Sequence, residues 1–100
     1  MSILDGVMLE EYNRINRIIN KIDEELNELP KGYISKKKIN EKIYYYLQYR
    51  EANKIKSKYL KGDDVKIYIN LIEHRNELLS KKKGLQIDKH KLEKVLGLEK

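Results

Sequence analysis

Seven apolar side chains near the start of the chain are spaced in a way that few folds accommodate. Met8, Tyr12, Ile15, Ile19, Ile22, Leu26 and Leu29 follow one another at steps of four, three, four, three, four and three residues. An α-helix turns once in about 3.6 residues. Alternating steps of three and four therefore lay these side chains in one narrow a/d stripe, the kind that packs against a facing helix. Ile18 widens the stripe, and Pro30 with Gly32 ends it. The residue before a proline is pushed out of helical geometry, and glycine frees the chain to leave. The spacing predicts a long helix over residues 5–29.

Beyond Gly32 the apolar period falls from about 3.6 to two. Tyr, Ile and Lys dominate, and the run Tyr44-Tyr45-Tyr46-Leu47-Gln48-Tyr49 has strong β propensity. Three strands are expected, Tyr33–Ile39, Ile43–Glu51 and Lys54–Leu60, joined at Asn40-Glu41 and Ala52-Asn53. Asparagine tolerates the left-handed conformation such turns need, although neither turn carries the glycine that two-residue hairpins favour. Asp63 then caps a second helix over 63–83, whose apolar face is Val65, Tyr68, Leu71, Ile72, Leu78 and Leu79. Lys81-Lys82-Lys83-Gly84 is expected to close it, and a short third helix is expected over 88–96, capped by Asp88 and ending before Gly97. The whole reads as one α+β domain over residues 1–100: long N-terminal helix, three-stranded antiparallel meander, second long helix, short C-terminal helix.

Charge is concentrated rather than spread. Residues 5–29 carry three basic and seven acidic side chains, residues 31–61 carry ten and two, and residues 62–100 carry nine and seven. The middle third, at +8, exceeds the net +6 of the chain. A local excess of this kind attracts polyanions. There is no cysteine, and with only two histidines a structural zinc site of four Cys or His ligands is not expected. The same absence favours a reducing compartment, Met1–Leu9 lacks the pattern of a signal peptide, and no apolar run approaches a membrane span. The expectation is a cytoplasmic protein with no membrane partner.

No enzyme signature is present. The chain has no glycine-rich phosphate loop, no HExxH, no GxSxG and no cysteine nucleophile. His74 lies between Glu73 and Arg75, and His90 between Lys89 and Lys91, as solvated helical histidines would. Asp23-Glu24-Glu25 point different ways on a helix and form a hydrated face rather than a metal cluster. A binding protein without cofactor or metal is the expectation.

The sheet supplies the candidate site. Along the second strand, Tyr44, Tyr46, Gln48 and Arg50 share one face, while Ile43, Tyr45, Leu47 and Tyr49 share the other and should pack on the helices. The first set offers rings for stacking, an amide and a guanidinium fork, all useful against nucleic acid. A two-residue loop at Ala52-Asn53 would pair Lys56 with Tyr49 and Lys58 with Leu47, on the core face. One residue of slip would move Lys54, Lys56 and Lys58 beside Tyr46, Gln48 and Arg50. Burying unpaired lysines is costly, so the bulged register is expected, with margin snorkelling as the way out for the other. Lys36, Lys37 and Lys38 belong to an edge strand, where lysine either meets phosphate or blocks edge-to-edge pairing. An ordinary half-buried tyrosine-rich sheet surface is the competing interpretation of the same residues.

The segments Leu29-Pro30-Lys31-Gly32-Tyr33-Ile34, Tyr44-Tyr45-Tyr46-Leu47-Gln48-Tyr49-Arg50-Glu51 and Lys56-Ser57-Lys58-Tyr59 resemble a family of small uncharacterised microbial and phage proteins. Its members share a helix, a "YYYLQYRE" sheet region and a following helix, often with glycines in the turns, and the resemblance implies no function. More remotely, three strands and a helix are similar to the integrase arm-site-binding domain and the plant AP2 domain. That likeness implies a sheet face laid in the DNA major groove, with Gln48 and Arg50 on the reading side.

Two functions follow as expectations. The first is nucleic-acid binding, DNA ahead of RNA, by Lys36, Lys37, Lys38, Tyr44, Tyr46, Gln48, Arg50, Lys54, Lys56 and Lys58. The alternative is a protein-binding inhibitor, encoded by a phage or mobile element, that blocks a host nucleic-acid (defence) machine by docking on an acidic or nucleic-acid-binding protein. The heptad stripe can pair with the Val65–Leu79 helix of the same chain or with its own copy in a second chain, and the thin core of so small a domain favours a homodimer.

Overall fold

The computed structural model describes residues 3–98, in the order α1 (Ile3–Glu28), β1 (Tyr33–Ile39), β2 (Lys42–Glu51), β3 (Lys54–Leu60) and α2 (Asp63–Leu96). Its contacts group into two compact units: α1 with the chain from Glu77 onward, and residues 29–76. α2 supplies its first turns to the second unit and the rest to the first.

In the helix pair, the α1 stripe buries Ile15, Ile19, Ile22 and Leu26, with Met8 and Tyr12 half-buried. The matching seam on α2 is Leu78, Lys82, Leu85, Lys89, Leu92 and Leu96, all half-buried and again at steps of four and three. Two contacts fix the pairing as antiparallel. The Tyr12 hydroxyl donates to Glu93 Oε2 at 3.3 Å, and Lys82 Nζ meets Asp23 Oδ1 at 2.6 Å. Moving forward along α1 thus means moving backward along α2. The heptad stripe finds its facing helix within the chain.

α2 does not stop at Gly84. One helix runs from Asp63 to Leu96, and no separate short helix occurs among the described residues. The expected break fails on magnitudes. A glycine inside a helix costs about 1 kcal/mol relative to alanine, whereas leaving the helix there would forfeit the half-buried leucines Leu85, Leu92 and Leu96, each worth about half of the 1.5–3 kcal/mol of a fully buried side chain. The real terminus is Gly97, at φ 71°, where the Leu98 amide donates to the Glu93 carbonyl at 2.8 Å and the Gly97 amide to the Lys94 carbonyl at 3.3 Å. That pair of bonds is a Schellman cap.

The sheet unit has strand order β1-β2-β3, antiparallel throughout. Both hairpins turn on two residues with positive φ, Asn40 (50°) and Glu41 (69°), then Ala52 (49°) and Asn53 (65°). Two consecutive left-handed residues make a type I′ turn, whose twist matches that of paired strands. Leu47, Leu60 and Ile72 are the buried core, with Ile34, Tyr45, Tyr49, Val65 and Tyr68 packed on it. Gly32, at φ 123°, lies where an added Cβ would sit 2.1 Å from the Gln48 carbonyl oxygen, so β1 begins where only glycine fits.

Candidate nucleic-acid interface

The register decides which side chains meet. β2 pairs β3 as Glu51↔Lys54, Tyr49↔Lys56 and Leu47↔Lys58, and β1 as Lys36↔Tyr45, Lys37↔Tyr44 and Tyr33↔Gln48. The two-residue loop is therefore in place and the bulged register is not. Lys54, Lys56 and Lys58 stand on the face of Leu47 and Tyr49, opposite to Tyr46, Gln48 and Arg50. The anticipated burial cost does not arise, because β3 is an edge strand and all three lysines are exposed. Lys58 snorkels over Tyr68: its Nζ donates to the Tyr68 hydroxyl at 3.0 Å and lies 5.1 Å from the ring centre. That hydroxyl, foremost, raises the Lys58 pKa above its ordinary value. Lys56 pairs with Glu51 at 3.2 Å, and Lys36 lies 5.8 Å from the Tyr45 ring centre. Lys38, opposite Ile43, also belongs to this helix-side face.

The outer face keeps five of the ten expected residues, Lys37, Tyr44, Tyr46, Gln48 and Arg50. It adds Tyr33, Ser35 and Lys42, and on β3 Ile55, Ser57 and Tyr59. No strand position on this face is acidic. Tyr59 sits between two rings, 6.1 Å from Tyr44 and 5.6 Å from Tyr46, tilted by about 50° to each. Edge-tilted rings at this spacing attract through their quadrupoles, so the cluster is a preformed aromatic surface. Lys37 Nζ caps it, 4.9 Å from the Tyr46 ring centre.

Gln48 is buried between the neighbouring strands. Its Nε2 donates to Ser35 Oγ at 3.3 Å, and Ser57 Oγ donates to its Oε1 at 2.8 Å. The amide thus braces three strands and has both ends engaged. Tyr59 and Ser57 belong to the face for a reason legible in the chain: the two-residue turn sets Tyr59 opposite Tyr46. A bulged register would have sent both away.

The electrostatics separate the two units. Residues 29–76 hold twelve Lys and Arg against five Asp and Glu, a net +7, whereas residues 3–28 with 77–98 hold nine against ten. The positive field of the chain is that of the sheet unit. Among the described residues no group of His, Cys, Asp or Glu could hold a metal ion, and no helix is long and apolar enough to cross a membrane.

Residues 10–68, more than half of the chain, match the model of the family described as Domain of unknown function (DUF6788). The match spans most of α1, the whole sheet and the first turns of α2. No curated protein and no solved structure matches the chain, so nothing ties its sheet to the integrase arm-site-binding domain. By the extent of the family match, the chain belongs to the DUF6788 family.

Proposed function

We propose that the sheet unit binds nucleic acid through its outer face, with unpaired bases stacking at the Tyr44–Tyr46–Tyr59 cluster and phosphates meeting Lys37, Lys42 and Arg50. The carrying observation is that one acid-free face joins an aromatic cluster to cations, in a unit of net charge +7. Stacking is sequence-tolerant, because every base has a π-face. Base-edge reading has little support, since the amide of Gln48 is occupied by Ser35 and Ser57. Single strands are therefore the preferred partner over a duplex groove. The helix-side lysines act at longer range, within the roughly 8–10 Å that salt leaves unscreened.

Fluorescence polarisation with a single-stranded DNA oligonucleotide, and the same sequence in RNA, at two salt concentrations tests this. Each phosphate neutralised contributes a slope of about −0.7 on single strands. Three face cations give a slope near −2, so a fourfold rise in salt should weaken binding about twentyfold. Absence of binding at low salt, or a Tyr46→Ala variant that binds as tightly as wild type, would overturn the proposal.

A protein-binding reading draws on Ile39 and Ile55, 49% and 69% exposed at the margins of the same face. An inhibitor of a host nucleic-acid machine, carried by a phage or mobile element, would use them against an apolar spot on its target. A partner retained on the immobilised protein after nuclease digestion, and released by Ile55→Lys, supports this second reading over the first.

A further inference from the structure

The outer face ends in a cleft of about 340 Å³, lined in part by Lys31, Tyr33, Gln48, Arg50, Ile55 and Arg75. Three of these are cations, and no carboxylate lines the cleft. Arg75 follows Tyr68 and Ile72 on the sheet-facing side of α2, at spacings that return it to the same helix face. Its Nε is buried and makes no hydrogen bond among the described residues. A buried donor on a permanent cation with no acceptor is a rare and costly arrangement, and an anion held in the cleft beside that guanidinium offsets part of the cost through its charge. Lys31 and Arg50 are exposed and free to swing toward such an anion, while Gly32 fixes the wall by its close approach to Gln48.

We propose that this cleft is a phosphate site whose occupant is a phosphomonoester, the terminal phosphate of the strand bound on the outer face. The link to a strand rests on the nucleic-acid reading above. A terminal phosphate carries close to two negative charges and three acceptor oxygens, against one charge and two free oxygens for an internal diester. Three cations around one cleft, two of them guanidinium forks, suit the former. Tyr33 and Ile55, 61% and 69% exposed, offer the adjoining sugar an apolar margin.

The test has two arms at fixed ionic strength. In the first, inorganic phosphate is titrated while the arginine Nε–Hε signals are followed by NMR. The Arg75 signal should shift saturably, and should not do so with chloride. In the second, oligonucleotides with a 5′-phosphate, a 3′-phosphate or neither are compared by polarisation. One phosphorylated form should bind about tenfold tighter than the hydroxyl form. That ratio should fall to about one in Arg75→Gln and severalfold in Lys31→Gln, whose exposed side chain can be removed without threatening the fold. No saturable shift with phosphate, or a ratio retained in both variants, overturns the phosphate site. Strands that bind without regard to a terminal phosphate overturn it too, while leaving the outer-face reading intact. Saturable, Arg75-dependent phosphate binding with no strand binding at all supports the site for a small phosphomonoester, and overturns the nucleic-acid reading alone.

Discussion

Gly32→Ala offers the sharpest test of the sheet geometry, because its cost can be set against that of a second positive-φ glycine, Gly62, that lies in open space. Gly32 and Gly62 both have positive φ, 123° and 47°. A methyl group at Gly62 meets nothing within 4 Å, whereas at Gly32 it meets the Gln48 carbonyl oxygen at 2.1 Å, the Gln48 carbonyl carbon at 3.1 Å and Tyr49 Cβ at 3.3 Å. The first two atoms are backbone of the central strand, which cannot retreat without disturbing its pairing with Tyr33. Gly62→Ala therefore bears only the conformational penalty, about 1–2 kcal/mol. Gly32→Ala bears at least that penalty, because φ 123° lies beyond the left-handed region that side chains can enter, plus that of an overpacked site, about 1–3 kcal/mol more. The loss of at least about 2–5 kcal/mol is a large part of the 5–15 kcal/mol that holds a domain of this size together. Urea unfolding followed by far-UV circular dichroism reads the difference. With slopes of about 1–3 kcal/mol per molar, the Gly32→Ala midpoint should lie about 1 M below that of Gly62→Ala at the middle of both ranges. Equal midpoints would refute the close approach of Gly32 to β2.

Other consequences are independent of that one. Gly84→Ala should raise stability by about 1 kcal/mol, because Gly84 lies inside α2 with open space where the methyl would go; a fall in the urea midpoint would mean that the helix ends there. Glu41→Gly, which makes the first turn Asn-Gly, should stabilise the protein by about 0.5–1 kcal/mol, since Glu41 holds a φ of 69° that glycine adopts without strain; no gain in midpoint would argue against a type I′ turn. The Glu11 carboxyl, accepting hydrogen bonds from Arg14, should titrate below its ordinary value of 4.5 and return toward it in Arg14→Met, as NMR of the carboxyl carbon can show. Its folded pKa is depressed, so the small stabilisation it gives is present above pH 4.5 and is lost as the pH falls through the folded value.

The elements that a single period governs were open to sequence reasoning. The α1 stripe, the alternation of β2 and the positions of both turns follow from local side-chain spacing, and the strands lie within one residue of expectation. α2 was not, because it serves two cores. Val65, Tyr68 and Ile72 face the sheet, while Leu78, Leu85 and Leu92 form a seam with α1, and Lys81-Lys82-Lys83-Gly84 imitates a helix end in the middle of that seam. The lysine row went to the wrong face for an energetic reason. The cost of burial counts only if the ammonium is buried, and on the edge strand β3 it is not. Tyr59 and Ser57 depended on that same register. Arg75 was missed although its spacing from Tyr68 and Ile72 returns it to the sheet-facing side of α2, because only the fold brings it beside Lys31 and Arg50.

The eight tyrosines let one experiment interrogate the outer face directly, because four rings, Tyr33, Tyr44, Tyr46 and Tyr59, lie on it. Tyr45, Tyr49 and Tyr68 pack around the sheet core, and Tyr12 belongs to the helix pair. Ring carbon–proton NMR signals recorded during titration with a single-stranded oligonucleotide should move for Tyr44, Tyr46 and Tyr59 and stay in place for Tyr45 and Tyr68. Movement of the core rings with a silent outer cluster, or no movement anywhere at low salt, would contradict the account.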